Sequence, residues 1–88
     1  MSMNLYAEEL RIYTQQIKFS PNKFEAYINR GNAYYCLERY ARAIQDYTKA
    51  IELNPNDAMT YHNRGVCYQA LGYNSKAQAD FAKVKELG

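Results

Sequence analysis

The chain has no tryptophan, one histidine, two cysteines, two prolines and four glycines in its 88 residues. Each scarcity removes a class of answer. Cys36 and Cys67 stand far apart with no second cysteine near either, and His62 is the single histidine, so neither a zinc-ligand spacing nor a C-x-x-C redox motif can be written. No block of like charge is present: eleven basic and nine acidic residues give a net charge of +2 and are scattered along the sequence. The basic stripe needed for a phosphate backbone or an anionic membrane is missing, so neither nucleic acid nor membrane is an expected partner. No apolar run reaches the length of a signal h-region or a membrane span. With few breakers and 48% apolar residues, disorder is excluded and a single helical domain over residues 1–88 is expected. At this size the core must use most of the chain. Met1-Ser2-Met3 carries no weight in the argument.

What is present is self-similarity. Gly31 and Gly65 are separated by 34 positions, and the same offset lays Tyr27 on Tyr61, Asn29-Arg30-Gly31 on Asn63-Arg64-Gly65, Tyr34 on Tyr68, Ala43 on Ala77 and Asp46 on Asp80. Shifting the other way lays Tyr6-Ala7 on Tyr40-Ala41, Ile17 on Ile51 and Pro21-Asn22 on Pro55-Asn56. The chain is therefore two and a half repeats, beginning with a half. Within each repeat, apolar residues recur at helical spacing in two stretches, with Tyr27, Tyr34 and Leu37 in the first and Ala43, Ile44, Tyr47, Ala50 and Ile51 in the second. Short turns at Glu38-Arg39 and Gly72-Tyr73 make the paired helices antiparallel, and Asp57 is placed to cap the helix after Pro55. Gly31 and Gly65 fall inside helices, where glycine costs roughly 1 kcal/mol against alanine; close helix contact, shared with Ala43 and Ala50, offsets that cost. The tyrosines are expected to fill the core around these small residues.

The pattern resembles the tetratricopeptide repeat, whose 34-residue signature is carried here by Tyr27, Gly31, Tyr34, Ala43, Tyr47, Ala50 and Pro55, and again by Tyr61, Gly65, Tyr68, Ala77, Phe81 and Val84. It departs in Arg30 and Arg64 where leucine is usual and in Glu38 where a turn glycine is usual. The resemblance implies an all-α superhelix of antiparallel helical hairpins. Its five helices fall near 3–19, 24–37, 40–53, 58–71 and 74–87, divided into a half-repeat helix at 3–19, a repeat at 24–57 and a repeat at 58–88 with a polar last helix. Cys36 and Cys67 then lie in separate layers and are expected to be buried and reduced, which places the protein in the cytoplasm. Arg30 and Arg64 are expected to pair with Asp46 and Asp80.

The ends are written differently from the interior. Glu9 and Gln16 stand where the next repeat has Ala43 and Ala50, and Gln78 and Lys85 stand where Ile44 and Ile51 would pack on a following repeat. Polar ends are what a finished array shows, so a monomer is expected. Ile12, at the place of Asp46 and Asp80, is the candidate for an exposed apolar contact and for self-association, which is the alternative role: an assembly scaffold using the outer or terminal helix faces.

By the resemblance, the first helix of each hairpin lines a concave groove. That assigns Glu25, Ile28, Asn29, Asn32, Tyr35 and Cys36 from one repeat and Met59, His62, Asn63, Val66 and Gln69 from the next. Chaperone-tail binders of the family hold a C-terminal carboxylate with lysine and asparagine one turn apart, an asparagine from the second repeat, and lysine and arginine from a third. Asn32 and Asn63 match the asparagines, but Ile28 replaces the first lysine. An asparagine ladder, in which Asn29 and Asn63 bond the backbone of an extended peptide, fits better, because an amide offers donor and acceptor together. The expected partner is a protein or peptide. No cofactor, metal or catalytic residue is assigned: His62, Cys36 and Cys67 have no base or nucleophile partner at known spacing.

Overall fold

The computed structural model describes residues 2–88, with side chains from Leu5 onward; Met1 lies outside the described residues. Five helices follow one another: α1 (Ser2–Phe19), α2 (Phe24–Cys36), α3 (Tyr40–Leu53), α4 (Ala58–Ala70) and α5 (Asn74–Leu87). Each packs on its neighbours in sequence. The shortest dimension, 17 Å, leaves room for two layers of helices at the usual spacing of about 8–10 Å.

The two hairpin turns close in the same way. The amide of Arg39 donates to the carbonyl of Tyr34 at 2.8 Å and that of Glu38 to Tyr35 at 2.9 Å; Tyr73 to Tyr68 and Gly72 to Gln69 repeat the pattern at 2.9 and 3.0 Å. This pair of bonds satisfies the last free carbonyls of α2 and α4 and needs a left-handed residue just past each helix. Gly72 takes it at φ 83°, and Glu38 takes it at φ 60°, where its Cβ crowds the backbone. The turn is thus the same with either residue, but strained in the first repeat.

Glycine inside a helix is explained by the aromatic ring that lies against it. A Cβ on Gly31 would sit 2.8 Å from Cε1 of Tyr47, and one on Gly65 would sit 2.7 Å from Cε1 of Phe81. Ala43, Ala50 and Ala77 are buried beside these rings. The tyrosines serve the core less uniformly than their spacing suggests: Tyr27, Tyr47 and Tyr61 are buried, Tyr35 and Tyr73 are exposed, and the other five are half-buried. A phenol ring packs along its length while its hydroxyl seeks a polar partner. Tyr27 and Tyr61 show this, each donating to the carbonyl of the proline in the preceding loop, Pro21 at 3.1 Å and Pro55 at 3.0 Å.

Two expectations fail locally. Cys67 is fully buried, but Cys36 is exposed, and both are free thiols. The repeat register gives the reason: Cys67 holds the place of buried Ala33, whereas Cys36 holds that of exposed Ala70. Asp57 is at the start of α4 but its side chain makes no cap bond to the backbone. It accepts instead from the Thr60 hydroxyl at 2.7 Å, because a hydroxyl one turn on competes for the same oxygen.

The arginine pairing holds. Arg30 grips Asp46 with Nε and Nη2 at 2.8 and 2.7 Å and sends Nη1 to Thr14 at 3.3 Å. Arg64 does the same to Asp80 at 2.9 and 2.8 Å and to Thr48 at 3.2 Å. Each guanidinium therefore ties three successive helices.

Glycine substitutions separate the two repeats. Alanine would gain roughly 1 kcal/mol of helix propensity, while forcing a methyl into a filled space costs about 1–3 kcal/mol. Tyr47 is fully buried and cannot withdraw, whereas Phe81 is partly exposed. Gly31→Ala is expected to destabilise by roughly 1–2 kcal/mol and Gly65→Ala by less, read from urea titrations; a gain in both would remove the close-contact role. At the strained turn, Glu38→Gly is expected to stabilise by roughly 0.5–1 kcal/mol, relief of the left-handed penalty outweighing the freer unfolded chain. Glu38→Ala, which keeps the Cβ, is the control that should show no such gain in melting temperature.

Candidate functional site

Residues three and four apart on a helix share a face. Glu25, Ile28, Asn29, Asn32, Tyr35 and Cys36 therefore form one strip along α2, and Met59, His62, Asn63, Val66 and Gln69 form another along α4. None of these side chains is buried: Glu25, Asn29, Tyr35, Cys36, Met59, His62 and Gln69 are exposed, and Ile28, Asn32, Asn63 and Val66 are half-buried. Met59, at 64% exposure, is the most open large apolar residue on the two strips. Ile12, the candidate for self-association, lies apart on α1 and is 49% exposed.

The two strips meet at a pair of amides. Asn63 Nδ2 donates to Asn32 Oδ1 at 3.3 Å, and the same oxygen accepts from the Tyr47 hydroxyl. Burial raises the Tyr47 pKa well above that of a free phenol, so the hydroxyl remains a proton donor throughout the physiological range. An asparagine carries two donors and two acceptor lone pairs. The shared bond uses the Asn32 oxygen and one Asn63 proton, which leaves the Asn32 amide NH2 and the Asn63 carbonyl oxygen for a ligand. Sequence spacing paired Asn29 with Asn63; the folded chain instead joins Asn63 to Asn32 and holds Asn29 exposed on the next turn. The 34-residue offset equates positions in successive repeats, but stacked repeats are staggered, so contacting residues differ in repeat position. The share of Tyr47 in this site could not be seen in the sequence, where it reads only as a core aromatic.

Aromatic contacts border the strips. Tyr35 meets Tyr40 edge-on with ring centroids 5.8 Å apart, and His62 lies against Phe81 at 5.8 Å with the rings tilted by 48°. The contact turns His62 toward α5 and gives it a packing role. The surface made by α2 and α4 is thus a set of oriented amides between apolar and aromatic patches. Glu25 is its one carboxylate among the residues assigned to it.

Profiles of the tetratricopeptide repeat match residues 24–57 and 46–79. The fold gives the same answer. The first TPR domain of Spaghetti (RPAP3), bound to the HSP90 peptide SRMEEVD, superposes with a TM-score of 0.92 at 31% identity, over 96% of this chain and 67% of that one. The TPR2B domain of yeast Sti1, in a complex with an Hsp70 peptide, gives 0.91 at 26% identity over 96% and 67%. MamA from AMB-1 gives 0.90 at 24% identity over 94% and 49%, a likeness of fold. No curated protein matches the sequence. The chain belongs to the tetratricopeptide repeat family.

The two thiols report the packing around this site. Burial pushes the Cys67 thiol up to about 11, and Cys36 is exposed at the end of α2. At pH 8 a thiol reagent is expected to titrate one cysteine in the folded protein and the second only in denaturant. Two fast equivalents in the native state would show that the α3–α4 core opens.

Proposed function

We propose that the chain is a protein-interaction module that receives an extended peptide across the first helices of its hairpins, and that its role is binding and not catalysis. The observation that carries this is the Asn32–Asn63 bond, which fixes two amides side by side on a surface that also presents Ile28, Tyr35, Met59 and Val66. A held amide loses little freedom when it bonds a peptide backbone, so it favours binding without selecting sequence. Asn29 adds a third amide one turn away, and Ile28, Tyr35, Met59 and Val66 supply contacts for peptide side chains. Related TPR domains of Spaghetti and Sti1 hold HSP90 and Hsp70 peptides, which supports a peptide as the ligand class.

The ligand favoured here is not an acidic chain end. Asn32 and Asn63 stand where carboxylate-clamping members of the family carry asparagine, but Ile28 takes the lysine position and Glu25 lies one turn before it. A carboxylate brought to this surface would lose its hydration without gaining a cation. A neutral, moderately apolar segment avoids that cost. Two hairpins bury less than a standard interface and the peptide must be ordered, so affinity in the range of roughly micromolar or weaker is expected.

Calorimetric titration decides both points. SRMEEVD with a free C-terminus is expected to bind no better than its amidated form, and a neutral peptide selected on the domain is expected to bind better than either, with little dependence on salt. Asn29→Ala combined with Asn63→Ala should weaken the selected peptide by about tenfold, the loss of one or two hydrogen bonds, with helicity unchanged. A strong preference for the free carboxylate would restore the clamp; unchanged affinity in the double variant would move the site off these strips.

A further inference from the structure

Where the first full hairpin meets α1 there is a cleft that the strips on α2 and α4 do not use. It measures about 540 Å³ and is lined by Ala7 and Leu10 of α1, Tyr34 and Leu37 from α2 and its end, and Arg39 and Arg42 at the start of α3. α1 and α3 both pack on α2 and make no comparable contact with each other, so α2 forms the floor. The 34-residue offset places the counterpart in the next repeat at Ala41, Ile44, Tyr68, Leu71, Tyr73 and Lys76. Hairpin stacking, and not an end of the array, keeps this place open. The counterpart has a further helix, α2, ahead of its first wall, and still leaves Leu71 41% and Tyr73 55% exposed.

The two places differ in kind at one side chain. Arg39 and Tyr73 start from nearly the same backbone, φ −96° and ψ 70° against φ −86° and ψ 70°. Tyr73 turns its ring edge-on to Tyr68, with centroids 6.3 Å apart. Lys76 Nζ stands 5.7 and 5.8 Å from the centres of those two rings. The first repeat keeps two of these three parts, the Tyr34 ring and the Arg42 guanidinium 5.9 Å from its centre. The second ring is missing, and Arg39 stands in its place. Among the described residues neither Arg39 nor Arg42 joins an ion pair, the adjacent Glu38 included.

We propose that this cleft receives an aromatic side chain of a partner protein, flanked in the partner's sequence by carboxylates. The ring takes the place that Tyr73 fills in the second repeat, edge-on to Tyr34 and beside Arg42, with Ala7, Leu10 and Leu37 around it. The flanking carboxylates meet Arg39 and Arg42, whose charges no group of this chain compensates. A guanidinium held over a ring has less freedom to lose and keeps its edge N–H donors for a carboxylate. The amide surface of α2 and α4 suits a neutral segment and stays free, so this contact stands or falls independently of the peptide reading.

Two-dimensional NMR titration of the full chain with a blocked Asp-Glu-Phe-Glu-Asp peptide, up to about 5 mM, tests it. Shifts are expected at Leu10, Leu37 and Arg42 and not at Asn63 or Val66. Arg39→Gln and Arg42→Gln should each weaken binding by about threefold, added salt should weaken it further, and alanine in place of the peptide's phenylalanine should abolish it. Arg39→Tyr supplies the missing ring and should lower the affinity by more than about tenfold without lowering the melting temperature. Arg39→Gln, equally uncharged but with the cleft left open, separates filling from loss of charge. Asn29→Ala combined with Asn63→Ala should leave this affinity unchanged. No binding in that range, equal binding of an Asn-Gln-Phe-Gln-Asn peptide, shifts confined to the strips on α2 and α4, or parental affinity in Arg39→Tyr would each overturn the proposal.

Discussion

One contact made twice sets the geometry of the array: the guanidinium of Arg30 on Asp46 and Thr14, and that of Arg64 on Asp80 and Thr48. Asp46 and Asp80 are 4% exposed, where an unpaired carboxylate would be strongly destabilising. The bidentate fork meets that requirement only at one helix spacing and one axial register, because two parallel N–H···O bonds tolerate little displacement. The third guanidinium nitrogen, Nη1, then reaches the helix before. Hairpin closure and stacking of one hairpin on the next are thus fixed by the same side chain. The ring faces of Tyr34, Tyr61 and Tyr68 lie within about 6 Å of these guanidiniums, which partly replaces the water that burial removes.

The surface of α2 and α4 inherits its order from that frame. Tyr47 lies against Gly31 in the core and ends in a hydroxyl on Asn32. Asn32 in turn holds Asn63 of the next repeat. A buried aromatic therefore orients two surface amides belonging to different hairpins. Repeat proteins contact only their neighbours, so a ligand crossing two hairpins depends on links of this kind to find its contacts already in place.

The outward faces of α1 and α5 carry different chemistry. On α5, Gln78 and Lys85 are exposed and present water with polar groups where the interior has isoleucine. On α1, the expected polar face is real at Glu9 and Gln16 but is interleaved with Leu5, Ile12 and Phe19. The polar residues prevent close hairpin packing; the apolar ones leave a surface that gains free energy when covered. A single exposed Ile12 was legible from the repeat register. The three together were not, because Leu5 and Phe19 look like ordinary amphipathic-helix residues until the side of α1 that meets α2 is known.

The sequence by itself determined the five helices, the two turns, the 34-residue register and the pairing of Arg30 with Asp46 and Arg64 with Asp80. Those features rest on interactions between residues at fixed separations, and hydrophobic period, turn residues and a repeated arginine–aspartate offset encode them locally. It also placed the strips Glu25 to Cys36 and Met59 to Gln69 on accessible helix faces. Tertiary structure alone decided that Asn63 bonds Asn32, that Tyr47 belongs to both core and surface, and that Cys36 is open while Cys67 is closed. These depend on the stagger between stacked hairpins and on which side of each helix is covered. That stagger is set by the packing of α2 on α1 and of α4 on α3 and by the reach of two guanidiniums to Thr14 and Thr48, quantities of the folded chain that no pair of sequence positions carries alone.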